Sequence, residues 1–593
     1  MEVSKDDAAA DGLERYRQKR RRPRKPRDPE PNVSAEIARA YDLVPETGEG
    51  LRWYDLPYRI LSWLSSGWRR RILPRRAILA LNYGINYLIP YNQHDRNFVW
   101  SRDSWMHNVI VPEDYHVTVG GIWAIELFPP SQLPAFERAL DKNGWKRPKW
   151  WASADEDNPK KLQRARSGRG ASWWPVVDVV RKDSTWWIPD GVRADLPAQF
   201  EWVSLRAMQV GAGLTAVVAH FTLTEAAASL LDTEWHRDHD PILIPGSRGK
   251  RPRSLDRHWA AFHKTQGVRR ELHDAARDWM RGKVPGFFAA SNSPQLLLDL
   301  LLLDGYDPTH EPYVELPRDD EIKQRDAIRA IGLSDYGFHH IVSPSLEKLI
   351  LSPSDPEMHP ALGEGPTWTL WGNREAIIEA WGDDAFAGFS DSTNRGIAHH
   401  VESTYPLLTM LAVSHFLDIS SQRYAEIRDR ATTRHGKFKP GALRDLRQFF
   451  LTLSLDLTTV RREVASFWDL DRLWQWEAGE DFFFQPTPST RARNEQTKRS
   501  EKKLRSFNKA VRKRQDERFE SLAAADRDYR DILSTVASIG ASVDAFKIGR
   551  WALWVALASL AVAVATIVLA DVGCNSVIHQ FVGWPSTESC SSP

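Results

Sequence analysis

Cysteine is almost absent: Cys574 and Cys590 are the only two in 593 residues, and none precedes them. That removes thiolate zinc sites and a cysteine nucleophile from nearly the whole chain. An excess of one charge is also lacking. Lys and Arg total 80 against 78 Asp and Glu, so no global field draws the molecule to nucleic acid, which is not an expected partner. Motifs that tie chemistry to fixed spacings are missing too. There is no HExxH, no nucleophile elbow and no paired acidic metal motif. Gly211-Ala-Gly213 lacks the third glycine and the Lys-Ser/Thr ending of a phosphate cradle, and Gly246-Ser-Arg-Gly-Lys250 lacks its spacing. No cofactor and no metal set is assigned.

One long apolar run is present. Residues 551–570 (WALWVALASLAVAVATIVLA) carry no charge, and about 20 such residues suffice for a helix to cross a ~30 Å hydrocarbon layer. Arg550 and Asp571 bracket the run, Trp551 and Trp554 suit an interfacial aromatic belt, and Lys547 and Arg550 mark the preceding side as cytoplasmic. A buried core helix is the alternative, but core helices stop at roughly 10–14 apolar residues. The opening residues are charged, so no export signal is expected there. The chain is expected to be a single-pass protein of a membrane such as the plasma membrane, its N-terminal bulk cytoplasmic. Both cysteines then face an oxidising space, where a Cys574–Cys590 bridge is the expectation and two unpaired thiols the alternative.

Twenty-six tryptophans suit cores, membrane interfaces and stacking surfaces alike. Residues 1–32 form a basic arm containing Arg20, Arg21, Arg22, Arg24 and Lys25, read as disordered. Near a bilayer these side chains would bind anionic lipid headgroups, each contributing about 1 kcal/mol; a solvated tail and nucleic acid are the other readings. Residues 33–110 are aromatic and basic, with Ile60, Leu64, Trp68 and Ile72 at helical spacing beside Arg59, Arg69, Arg70 and Arg71. That stripe fits either an interfacial helix or, slightly favoured, a face packed on a core, and Pro57, Pro74 and Pro90 should segment it.

Residues 111–300 read as an α+β domain. Strands are expected at 121–127, 200–210 and 214–223, the first and last each followed by a helix, the pattern of a duplicated unit. Residues 148–170 read as a loop, 255–280 as a helix and 296–303 as an apolar helix. Residues 301–395 look irregular, rich in Pro, Gly and Asp. Residues 396–546 read as helical: segments near 396–427 and 443–476, then a charged helix from Arg493 whose seam Leu522, Ala525, Tyr529, Ile532, Val536, Ile539, Val543 and Phe546 repeats as a heptad. This stalk should run into the span at 547–571, leaving 572–593 as an extracytoplasmic tail. The predicted class is thus an α+β cytoplasmic region, a mainly helical region with a long stalk and coiled-coil seam, and one C-terminal transmembrane helix.

Two histidine groups are the only catalytic candidates. His339 and His340, with His399, His400 and Glu402, would make a hydrolase-like site if they met across a cleft; core or surface histidines are the stronger reading. His236-Arg-Asp238-His239-Asp240 concentrates possible ligands, yet neighbours on one loop rarely converge on a metal.

A long cytoplasmic helix feeding a transmembrane helix, followed by Gly573-Cys574-Asn575, resembles the CorA-type magnesium channels, whose pore helix ends in Gly-Met-Asn. The likeness covers about the last tenth of the chain, with Cys in the place of Met; residues 577–584 are too short and polar for that family's second membrane helix. It implies an oligomeric ion channel. The residues themselves favour a membrane-anchored scaffold, sensor or interaction protein, with a protein partner or homo-oligomer, over a membrane-tethered enzyme or the channel.

Overall fold

The computed structural model describes residues 42–146, 157–168, 173–184, 191–246, 250–309, 318–333, 339–354, 366–386, 388, 392–433, 440–468, 481–488, 490–491 and 504–569. The basic arm with Arg20, Arg21, Arg22, Arg24 and Lys25, and the tail with Cys574 and Cys590, lie outside them. The chain divides into two compact units, with boundaries at His415/Phe416, Ala465/Ser466 and Val511/Arg512.

The α/β unit opens with helix α1 (Asp55–Ser65), a single turn at Arg69–Ile72, and helix α2 (Arg75–Val99), against which α1 packs. Asp55 ties down the entry, accepting from the backbone N–H groups of Gly48 at 2.7 Å and Arg52 at 3.0 Å. Pro74 precedes α2 as expected, but Pro90 sits inside it without ending it. Of the stripe, Ile60, Trp68 and Ile72 are exposed, as is the neighbouring Trp63, while Leu64 is half-buried.

The centre of the unit is a mixed sheet built from β1 (His116–Phe128), β2 (Trp173–Arg181), β3 (Val192–Ala194), β4 (Phe200–Val210), β5 (Leu214–Leu223), β8 (Leu296–Asp304), β9 (His339–Val342), β10 (Ile350–Pro353), β11 (Thr367–Asn373), β12 (Phe483–Pro486) and β13 (Arg505–Ser506). Its order is β13-β12-β9-β10-β11-β8-β1-β5-β4-β2-β3, and β6 (Ile242–Ile244) pairs with β7 (Arg253–Leu255) separately. The β8–β11 and β2–β3 pairs are parallel and the rest antiparallel.

Side-chain alternation divides the sheet into two faces. Ile122, Ala124, Val203, Leu205, Ala219, Phe221, Leu297 and Leu301 share one core with Leu272, Ala276, Trp279 and Met280 of helix α4, which follows the short helix α3 (Leu230–Trp235) and spans Arg257–Lys283. The other face carries Trp123, Ser204, Arg206 and His220. Helix α6 (Thr393–Val401), which comes after the short α5 (Phe287–Ala290), packs on β1, and Thr409, early in α7 (Tyr405–Thr433), touches Met208 of β4.

The expected apolar helix at 296–303 is instead strand β8. Its sequence, LLLDLLLLD, is buried on both faces between β1 and β11, and a fully buried strand needs no alternation. The stretch 301–395 is not irregular either: it holds the end of β8, a helix at Arg318–Ala330, β9, β10, β11 and a helix at Arg374–Trp381. Within the expected loop at 148–170, Asn158–Arg166 is a helix capped by Asp157.

In the helical unit, α7 continues beside α8 (Pro440–Trp468), and α9 (Phe507–Leu569) runs for 63 residues. Helix α9 starts directly after β13; the expected helix start at Arg493 lies outside the described residues. Tyr424 of α7 donates to Asp526 of α9 at 2.9 Å, Ser454 of α8 donates to its second oxygen at 3.1 Å, and Phe519 and Leu522 are buried. The upper seam thus meets helices of its own chain. Side chains of Ile532, Val536, Ile539 and Val543 are outside the description. Within α9, Ile548–Ile567 is long and apolar enough to cross a membrane and is buried nowhere along its length.

Candidate functional site

The two histidine groups do not meet. His339 and His340 lie on β9 opposite Pro486 and Gln485 of β12. His399 sits near Arg206 of β4, whose charge it feels. Five strands separate β9 from β4, roughly 29 Å at ~4.8 Å per strand. His400 is a packing residue, set against Trp381 and Phe386 with Nε2 3.0 Å from the Ala385 carbonyl. The histidines therefore share no cleft, and the condition for a hydrolase-like site is not met.

His399 and Glu402 belong instead to a polar cluster on the second sheet face. Arg206 approaches Asp178 of β2 at 3.4 Å. Beside it His220 of β5 stacks on Trp123 of β1, centroids 4.5 Å apart and planes within 10°, as their direct cross-strand pairing requires. Gly121 makes room for the pair, since a β-carbon there would come within 2.9 Å of His220 Nε2. Glu402 faces His399 at 3.8 Å, and Tyr405 lies beside Glu402, Arg206 and Trp123.

Burial dominates the electrostatics of this cluster. It pushes the His220 imidazole down to about 3, with Arg206 and His399 adding repulsion. It lowers His399, helped by His400 and Arg206. It raises Glu402, where Arg206 opposes and Asp178 assists, and lifts the Tyr405 phenol well above its usual range. His220 is thus a neutral imidazole with Nε2 buried and unbonded. The cluster holds groups that exchange protons, and Ser204 of β4 is the direct cross-strand partner of His220, but its Oγ and His220 Nε2 are each buried without a hydrogen-bond partner, so the hydroxyl is not engaged by the imidazole as an activated nucleophile would be.

Two further buried groups are structural. Arg269 of α4 forks onto Asp299 of β8 at 2.7 and 3.0 Å and also donates to Thr369, while His273 approaches the same carboxylate at 2.9 Å. Burial alone would raise the Asp299 pKa, yet Arg269 and His273 outweigh it and hold the carboxyl far below its usual range. Both Arg269 and Asp299 are sealed from water, so they fasten α4 to the sheet. Glu126 of β1 receives the N–H groups of Phe288 at 2.7 Å and Ala289 at 3.2 Å, opening α5, and Gln295 Nε2 at 3.0 Å. Burial pushes its pKa up to about 7 against those donors.

The run 236–240 does not converge. His239 is buried against the Glu234 carbonyl at 2.9 Å, and Asp240 pairs with Arg102 at 2.6 Å. Only His236 joins other candidate ligands, Asp232 one turn earlier and His116 at the head of β1. The Asp232-x-x-x-His236 spacing was visible in the sequence as one helix face; His116 was not, because strand-to-helix proximity leaves no local signature. No family model, curated protein or solved structure matches this chain.

Proposed function

We propose that the chain is a single-pass membrane-anchored protein whose α/β unit stands on the cytoplasmic side, at the plasma membrane, and works as a scaffold, sensor or interaction module. The observation that carries this reading is α9. It continues without a break from residues buried in the helical unit into the exposed apolar stretch Ile548–Ile567, roughly 95 Å of helix at 1.5 Å per residue. Water would not tolerate that bare surface, whereas a bilayer of ~30 Å accepts it. Lys547 and Arg550 precede it, which favours a cytoplasmic N-terminal side. The exposed aromatic stripe on α1, with Arg69 stacked 3.7 Å over Trp63, adds a second surface suited to a lipid interface. Protease treatment of sealed inside-out vesicles should digest the α/β unit; its protection would defeat the orientation.

A second reading is favoured by the same helix. A helix passing unbroken from the internal region into the span is the feature shared with CorA-type channels, and it would make the protein an ion-conducting oligomer through association of spans. Purified protein in detergent should then be larger than a monomer and should pass divalent cations when reconstituted in liposomes. A monomer without flux leaves the anchored-module reading in place.

A further inference from the structure

We propose that His116, Asp232 and His236 bind a divalent transition-metal ion, zinc foremost, with Asp304 as an additional ligand. The three side chains come from the first residue of β1 and from the end of α3, and one ligand atom of each lies within 4.8 Å of the others. His116 Nδ1 is 3.1 Å from Asp232 Oδ2, and His236 Nδ1 is 3.5 Å from Asp232 Oδ1. Donor atoms bound to one tetrahedral zinc at ~2.0–2.1 Å sit roughly 3.3 Å apart; the two separations run to different oxygens of Asp232, and His236 Nδ1 also lies 3.0 Å from the Asp232 carbonyl, so a shared ion needs only a small turn of the His236 ring that frees a nitrogen toward it.

The local fold holds these donors. Asp232 Oδ1 accepts the Val117 N–H at 2.9 Å, which locks the carboxylate against the start of β1. The i,i+4 step from Asp232 to His236 places both on one face of the turn closing α3. The His116 and His236 rings lie side by side, centroids 5.3 Å apart, and both remain reachable from water.

Asp304 provides an independent pointer. It is the direct cross-strand partner of His116, which puts their β-carbons about 5 Å apart. One of its oxygens meets Arg374 at 3.2 Å, while Oδ1 is buried with no hydrogen-bond partner. A buried carboxylate oxygen left unbonded is costly, and a cation beside it removes that cost.

Two imidazoles with one or two carboxylates select for zinc and its neighbours, because magnesium and calcium prefer all-oxygen shells. The site is therefore separate from any magnesium conduction, and it stands or falls independently of the membrane reading.

The test uses the untagged full chain in detergent, stripped of metal and titrated calorimetrically with Zn²⁺ and with Mg²⁺, with Co²⁺ absorption reporting coordination geometry. One Zn²⁺ per chain, no competing Mg²⁺ binding, and an intense visible Co²⁺ band are expected. His116→Gln and His236→Gln should each weaken Zn²⁺ at least roughly 100-fold with circular dichroism unchanged, whereas His399→Gln, outside the cluster, should leave binding intact. Asp304→Asn should weaken it about tenfold; unchanged affinity there overturns the part given to Asp304. Absence of Zn²⁺ binding by the wild-type chain, or stoichiometry and affinity unaltered in both His116→Gln and His236→Gln, overturns the site.

Discussion

Glu126 and His220 lie on the neighbouring strands β1 and β5, both shut off from water, and burial displaces them in opposite directions. The Glu126 carboxyl, raised to about 7, stays protonated in the folded chain while its unfolded counterpart ionises near 4.5. Its contribution is complete below the unfolded value and is lost as pH rises through 7, a change of about 3 kcal/mol. His220, lowered to about 3, stays neutral while the unfolded imidazole takes up a proton below 6.5. Its contribution is present above 6.5 and is lost on acidification toward 3, by up to about 5 kcal/mol. His415, lowered to about 4 by burial, acts in the same sense. Thermal unfolding followed by near-UV circular dichroism should therefore show His220→Phe losing less stability than wild type between pH 6.5 and 4, since a ring still stacks on Trp123. Glu126→Gln should flatten the slope between pH 5 and 7. Parallel pH profiles in wild type and both variants would show that neither group keeps its neutral form. None of this was legible from composition. Glu126 is one acid in an apolar strand, and the donors that hold it arrive from α5 and Gln295, far along the chain.

At the level of elements, period was the useful signal and continuous apolarity the misleading one. The alternation in β4 and the apolar content of β5 identified both strands, and the three-four spacing in α7, α8 and the upper part of α9 identified those helices. LLLDLLLLD could not be assigned that way, because a strand covered on both sides has no polar face to break the run. Proline misled at Pro90, which α2 accommodates. The stalk seam is best tested where it is packed. Asp526 takes hydrogen bonds from Tyr424 and Ser454 and an ion pair from Arg530 at 2.8 Å. Asp526→Ala leaves a buried phenol and hydroxyl without their acceptor, at an expected cost of roughly 2–4 kcal/mol. Leu522→Asp places a charge among buried side chains and should cost several kcal/mol. Both losses should appear in the thermal stability of the monomer. If Leu522→Asp only dissolves oligomers and leaves monomer stability unchanged, the upper seam is an intermolecular coiled coil. The aromatic stripe on α1 and the turn after it makes a separate prediction: Trp63→Ser with Trp68→Ser, both exposed, should weaken binding to anionic vesicles several-fold without moving the melting temperature, as interfacial side chains do.

For the molecule as a whole, length and charge-free composition were enough to locate the apolar stretch of α9, because a helix of that kind differs from core helices in having no polar face at all. They could not say how many chains share it or what the α/β unit receives. The surfaces proposed for membrane contact nevertheless differ in kind, and that difference can be measured. A spanning helix holds through its buried apolar area, insensitive to salt or alkali, whereas an interfacial stripe flanked by arginines, or a basic arm such as Arg20, Arg21, Arg22, Arg24 and Lys25, holds partly through charge and weakens as the screening length falls. Full-length protein in cell membranes should accordingly resist alkaline carbonate extraction. A chain lacking residues 551–570 should be released by carbonate yet still sediment with anionic vesicles at low salt, and should leave them at about 1 M salt, where the Debye length shrinks to ~3 Å. Neutralising the five basic residues of the arm in that deletion should lower the salt concentration needed for release. Carbonate resistance surviving the deletion would mean that another segment provides the anchor, and would remove α9 from the centre of the functional reading.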